Sequence, residues 1–510
     1  MSRRALGFAI ALVAASLVAP IAARAAWVEP VVGPLNQRDA SASDIRGDGS
    51  EPLVAMTQFG PGFSSPTLQV ASLRSAPWQL SAPLERVPGA ALGSSVALTA
   101  SGPVYGAWIE TRTAPTVNAE VYIARYAGAS IWDPVAGSLN HNETQNAQPS
   151  SPPTIANVGG VPWVAWQEGP DSALWVARVD GGNVSYVGSP FAVGNVAASP
   201  SLTSVNGVAF LAYSDAQRLH VATFQNGAWT DVPGLVAPGG FFPSIANVGG
   251  RIFVAWSEYD ANQHVQLHVA RYVGNGHWIA DQSLNIDGNE NAYSKRIASV
   301  GGVPWIAWTE SSRPYADNRQ LDHVYVKQFN GASWDQVGGV LNIDQNQSAS
   351  EGGIADVAGK AYVAITQSQS DGGSAVRVEY AQQFVPLVSG LATVPAQTKK
   401  ANSGSRAIRF RVTLSEAATI RLEFMQPGAG RLDRGVCVAV TSRQAHRGAC
   451  TLDITRGQRT FSGHAGVNTL LFDGTLANRT RLKRGAYQVV ISAIGASGLS
   501  SASSTVRVKI

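Results

Sequence analysis

The sequence predicts an all-β chain, a seven-bladed β-propeller followed by a small β-sandwich, on three observations. A five-residue phrase recurs seven times, as Val54-Ala-Met-Thr-Gln58, Gly106-Ala-Trp-Ile-Glu110, Val164-Ala-Trp-Gln-Glu168, Leu211-Ala-Tyr-Ser-Asp215, Val254-Ala-Trp-Ser-Glu258, Ile306-Ala-Trp-Thr-Glu310 and Val363-Ala-Ile-Thr-Gln367. Its spacing of roughly fifty residues is the mark of an array with one sheet per repeat. Around each copy stand short β-branched and aromatic runs separated by glycine, a strand-turn-strand signal. Beyond Gly390 the character changes: Trp27–Gly390 holds 17 Lys and Arg against 29 Asp and Glu, a net −12, whereas Leu391–Ile510 holds 18 against 5, a net +13. Such a split marks two domains with different electrostatic partners.

Residues 1–26 read as a secretory leader. Arg3 and Arg4 precede an apolar run from Ala5 to Val18, and Ala23-Arg24-Ala25 is a small-x-small cleavage pattern. Whether the general or the twin-arginine route is used stays open, because Ser2-Arg3-Arg4 continues as Ala5-Leu6-Gly7. No later stretch reaches the ~18–20 apolar residues of a membrane span. The expected location is extracellular or cell-wall associated. In that oxidising setting Cys437 and Cys450, the two cysteines of the chain, are expected to form a disulfide.

Residues 27–387 are assigned to the propeller. In the fifth repeat, strand A (Phe242–Val248) turns at Gly249-Gly250 into strand B (Arg251–Glu258), a loop leads to strand C (Val265–Tyr272), and strand D runs from His277. Paired glycines supply the positive φ angles of a tight hairpin. Strand B is apolar at nearly every position, as in a sheet covered on both faces, so Trp108, Trp166, Trp256 and Trp308 are read as packing between blades. Trp27-Val-Glu-Pro-Val-Val-Gly-Pro-Leu-Asn36 matches the D strand Trp334-Asp-Gln-Val-Gly-Gly-Val-Leu-Asn342 but precedes any A strand. The last repeat lacks a D strand of its own, so the N-terminal strand is expected to complete it and seal the ring.

Residues 388–405 are read as a linker and 406–510 as a β-sandwich, from alternating runs such as Ala407–Leu414 and Ala486–Ala493 with regular turn spacing. Through Leu414-Ser-Glu416, the two cysteines, Gly463-His-Ala-Gly466, Leu470-Leu-Phe472 and Leu482-Lys-Arg-Gly-Ala-Tyr487, this segment resembles an immunoglobulin-like C-terminal domain of secreted actinobacterial proteins, which implies an accessory or surface role. The repeat, through GGxPWxAWxE, a V-A-R-Y strand and a spaced Trp and Leu-Asn, is similar to secreted bacterial seven-bladed propellers of lectin-like and kelch-like kind. That likeness implies architecture more than ligand.

Strand order places the B–C and D–A loops on one face, where loops of variable length offer recognition. That face collects the last residue of each phrase, and the candidate ligand-binding residues are Glu110, Glu168, Asp215, Glu258, Tyr259, Tyr293, Glu310 and Tyr315. Aromatic faces stack on sugars while carboxylates accept hydroxyl hydrogens, so a glycan is the expected ligand and a surface protein the alternative. The competing reading, favoured because the pattern repeats per blade, is that these carboxylates hold backbone N–H groups of the D–A loops. Asn140-His-Asn142, Asn285–Asn291 and Asn342–Asn346 alternate oxygen donors, but none completes a calcium loop, and Asx turns explain them more simply. No cofactor is assigned, and no nucleic-acid partner. Arg46-Gly47-Asp48 is read as the A–B turn of the first blade rather than an adhesion tripeptide.

No HExxH, GxSxG or phosphate loop occurs, and Asn330-Gly-Ala-Ser-Trp334 lacks the Asp-Gly core of a sialidase turn. No catalytic residue is named. A glycoside hydrolase or polysaccharide lyase drawing its acids from the same ring stands as the second reading. A structural surface protein, its cationic sandwich resting on an anionic wall polymer, is the third.

Overall fold

The computed structural model describes residues 27–36, 39–60, 66–74, 76–87, 89–91, 96–99, 102–112, 118–188, 191, 198–281, 283–311, 321–331, 333–381, 388–394, 408–414, 418–433, 436–439, 449–464, 466–495, 501 and 503–510. Among them there is no helix.

Seven four-stranded antiparallel sheets follow one another along the chain. We number them I to VII, with strands A to D in chain order. Their A strands are Ala40–Gly47, Ala97–Leu98, Thr154–Val158, Ser201–Val205, Phe241–Val248, Asn291–Val300 and Ala349–Val357. The B strands that carry the recurrent phrase are Pro52–Gln58, Tyr105–Arg112, Val161–Glu168, Val208–Ser214, Arg251–Tyr259, Val303–Ser311 and Lys360–Ser368, with Asp215 just past the fourth. Tight A–B turns need positive φ at both central residues, and Gly249 and Gly250 supply it at 57° and 82°.

Seven apolar cores lie between the sheets, each shared by two neighbours. Trp166 and Trp308 are fully buried in two of them, and Ile45 and Met56 of sheet I meet Val376 and Val378 of sheet VII in another. Burial on both faces is the physical reason strand B carries no polar alternation.

Sheet VII takes its fourth strand from the start of the described chain. Trp27 pairs with Ala381 and Val28 with Tyr380, and the Trp27 indole donates to the Val337 carbonyl at 3.0 Å. Only these two residues of the expected Trp27–Asn36 strand join the ladder. The rest is tied by other bonds: Arg377 meets Glu29 at 3.0 Å, the Leu35 N–H donates to the Val376 carbonyl at 2.9 Å, and Asn36 accepts the Val376 N–H at 2.7 Å.

The C-terminal segment forms a three-stranded sheet (Val388–Val394, Ile408–Leu414, Gly466–Phe472) and a five-stranded sheet around the long strand Ala418–Asp433. The two share one core, in which the rings of Phe424 and Phe472 stack 4.3 Å apart. The expected linker is corrected here: Val388–Val394 is a strand antiparallel to Ile408–Leu414, because its alternating Val-Ser-Gly-Leu-Ala-Thr-Val suits a sheet edge. Residues 395–405 lie outside the described residues. Cys437 stands opposite Leu432 and Cys450 opposite Gly430 on the long strand, and no free cysteine occurs among the described residues.

Candidate functional site

The polar end of the phrase works in two directions. Its last residue reaches back to the loop that leads into its own sheet. Glu168 accepts the His141 and Asn142 N–H groups at 2.9 and 2.8 Å, Glu310 accepts those of Ile286 and Asp287, Glu110 that of Arg86 and Gln367 that of Ile343. The indole two residues earlier donates to the same carboxylate, from Trp108, Trp166, Trp256 and Trp308. The residue between them faces the other way and binds the following sheet. Gln167 accepts the Ala198 N–H, Thr309 that of Glu351 and Thr366 that of Ala42, while Ser257 donates to the Ala292 carbonyl.

The D–A loops are equally committed. Asn140, Asn285 and Asn342 each accept one N–H from a C strand, of Val121, Leu267 and Val324, as Asn36 does for sheet VII. Asp287 and Asp344 close Asx turns onto Asn289 and Asn346. Among the described residues no group of three or more His, Cys, Asp and Glu is arranged to hold a metal ion.

The A strands of all seven sheets line a single cavity of about 500 Å3. Asp44, Ala97, Thr154, Ser201, Ser244 and Arg296 occupy equivalent positions in it, each opposite the alanine of a phrase, and Gly353 holds the same register in sheet VII. Four of them stitch forward to the next A strand: Asp44 accepts the Leu98 N–H at 2.9 Å, Thr154 that of Leu202 at 3.2 Å, and Ser201 and Ser244 those of Ile245 and Ile297 at 3.1 Å. Arg296 departs from the pattern, since a guanidinium has no acceptor to offer.

β-Bulges interrupt the A strands of sheets I, V, VI and VII, and bulges re-aim side chains. On this side of the cavity they gather a buried ionisable group. Lys295, 2% exposed, donates to Ser257 Oγ at 2.6 Å and to the Phe241 carbonyl; burial and the neighbouring Arg296 hold its amine well below the usual lysine range, against Glu351. Glu351 is buried with one oxygen lacking a partner among the described residues. Burial pushes its carboxyl up to about 8, and Asp44 adds to this while Arg296, Arg46 and Lys295 oppose it.

At the start of the same strands lies an aromatic cluster. The Phe241 ring is 5.2 Å from Phe242 and 5.3 Å from Tyr259. Phe242 and Tyr259 are 46% and 56% exposed, so both present apolar faces to solvent. Phe242 and the half-buried Tyr293 also line the cavity.

The candidate residues thus divide. Glu110, Glu168 and Glu310 are buried and hold backbone. Asp215 caps its own turn through Gln217 and Arg218 N–H and meets His220 Nε2 at 2.8 Å. Burial opposes its ionisation, but these hydrogen bonds outweigh it and hold its carboxyl below the ordinary range. Tyr259 of sheet V and Tyr293 of sheet VI influence one another's surroundings, while Glu258 is half-buried and takes the Trp256 indole at 3.0 Å. Tyr315 lies outside the described residues. Sequence reasoning missed Phe241, Phe242, Lys295, Arg296 and Glu351. Aligning the repeats on the phrase alanine would have exposed Arg296 as the one cation in its column.

No family model matches the chain, and no curated protein does. Among solved structures it is similar to the β-propeller domain of the Trilobed protease from Pyrococcus furiosus, at 9% identity over 68% of this chain and 94% of that one, TM-score 0.43. It is similar to the polysaccharide lyase Uly1 at 10% identity over 67% and 89%, TM-score 0.44. A six-bladed fucose-recognising lectin of Aleuria aurantia matches at 12% identity over 60% and 96%, TM-score 0.37. The protease domain and the lectin are propellers; the sheets of this chain stand on their own strand pairing.

Proposed function

We propose that residues 27–387 form a seven-bladed propeller, closed by the N-terminal strand, that binds glycans without catalysis at the cavity mouth beside Phe242, Glu258, Tyr259 and Tyr293. The observation that carries this reading is the aromatic cluster: Phe242 and Tyr259 leave rings exposed beside a cavity whose size is that of a small-ligand site. Ring closure is supported by the core shared between sheets VII and I. The non-catalytic reading is supported by Glu110, Glu168 and Glu310, whose oxygens serve backbone N–H groups.

In this reading the leader exports the chain, the C-terminal immunoglobulin-like sandwich starts at Val388 and is stapled by Cys437–Cys450, and its net charge of +13 holds the protein on anionic wall polymers until high salt releases it. A glycan array with the mature full chain tests the proposal. Binding that is lost in Tyr259→Ala supports it, and a blank array sinks it. Release of a reducing end from a bound glycan would replace it with the hydrolase or lyase reading.

A further inference from the structure

Resting on that reading, we infer that the sugar bound at this mouth is an acidic one, held by its oxyanion, a carboxylate or a sulfate ester, on the guanidinium of Arg296. The argument begins with the column of equivalent positions. Asp44, Thr154, Ser201 and Ser244 face the cavity and spend their oxygens on the next strand. Arg296 cannot, and it makes no hydrogen bond or ion pair with any described residue. The next position in the column is Gly353, where a Cβ would meet Ile45 N at 2.8 Å. No side chain from sheet VII therefore answers the guanidinium from this column.

The surroundings leave its charge uncompensated. Asp44 is engaged by Arg46 at 3.2 Å and by the Leu98 N–H. Glu351, on which Arg296 is the largest charge influence, is buried and held towards its neutral form. Lys295 shares the strand and is occupied by Ser257 and Phe241. Asp44 and Asp356, the carboxylates that line the cavity, are taken up by Arg46 and by backbone N–H groups, so the guanidinium is a fork open to a planar oxyanion, and Tyr293 and Phe242 line the same cavity as stacking faces. The net −12 of Trp27–Gly390 makes general attraction of polyanions a poor explanation for such binding, which leaves the local fork.

The test is calorimetric titration of the mature full chain with digalacturonate, with galactose 6-sulfate and with cellobiose. The expected result is binding of an acidic sugar at least tenfold tighter than cellobiose. Arg296→Gln removes that preference and leaves the melting temperature unchanged, and Arg296→Lys retains part of it. A preference for the sulfate over the carboxylate keeps the anchor and names the source of the oxyanion. Acid-sugar affinity should fall as pH rises through the range where Glu351, flanked by Arg296, Lys295, Arg46 and Asp44, ionises and competes as an internal counter-ion. Equal binding of acidic and neutral sugars, unaltered by Arg296→Gln, overturns this inference and leaves the glycan reading intact; no binding of any of the three overturns both.

Discussion

The indole of Trp308 donates to the carboxylate of Glu310 at 2.9 Å, and that carboxylate also holds the Ile286 and Asp287 N–H groups. An apolar anchor between sheets and a polar clamp on a loop are thereby one unit. Three donors converge on a group that is fully buried, where an unsatisfied donor is costly.

Glu310→Ala strands those three donors and should lower stability by ~3 kcal/mol, since each unpaired buried donor costs about 1–3 kcal/mol and the loop relaxes in part. Glu310→Gln should be far milder, because Gln367 does the same work in sheet VII through its amide oxygen. Denaturant midpoints of the two variants check this, and equal losses would contradict it.

Tyr259→Ala should behave in the opposite way. Tyr259 is 56% exposed, so its loss should shift stability by less than ~0.5 kcal/mol. If the aromatic cluster is the glycan platform, affinity for an array hit should drop about tenfold, ~1.4 kcal/mol, in this variant.

Glu351 gives the fold a pH dependence with a definite sign. Its folded value is raised by burial to about 8 from 4.5, so between those values the unfolded chain releases a proton that the folded chain keeps. Stability therefore falls as pH rises from about 4.5 to about 8, and the term is constant above. Glu379, pushed to about 7 by burial and then by Glu29, acts in the same sense. Glu351→Gln should gain on the parent protein as pH rises from 5 to 8, read from urea midpoints at each pH; a constant difference would refute the assignment.

Removal of the Trp27–Asn36 segment should lower the melting temperature, because sheet VII loses its outer strand and the Glu29–Arg377 pair. Trp27→Ala alone should cost ~2 kcal/mol, about half the value for a fully buried indole. A synthetic peptide of residues 27–36 added to the shortened chain should restore part of the loss.

What could be read beforehand depended on repetition. The match of Leu35-Asn36 to Leu341-Asn342 signalled the strand exchange, and the two asparagines do the same job, accepting N–H groups of Val376 and Val324. The Trp positions and glycine turns were legible for the same reason. The indole-to-carboxylate bond was present in the phrase as Trp-x-Glu, a spacing that puts both side chains on one face of a strand, yet it went unread. Lys295, Arg296 and Glu351 were hidden because each lies at a bulge, where period-two alternation breaks and the facing of a side chain no longer follows from its place in the run. Phe241 and Phe242 were hidden likewise, the latter at a φ of 50° that only the bulged strand imposes.

The pairing of Trp27 with Ala381 also orders events in time. Trp27 and Val28 are made more than 350 residues before their partners, and the C-terminal segment from Val388 follows later still, so sheet VII lacks its fourth strand while the six earlier sheets already have all of theirs. Until the two ends meet, sheet VII offers its Ser374–Ala381 edge to any passing strand. The pairing is thus a clasp whose two halves leave the ribosome far apart in time, and the interval before it shuts is the one in which sheet VII is most open to mispairing.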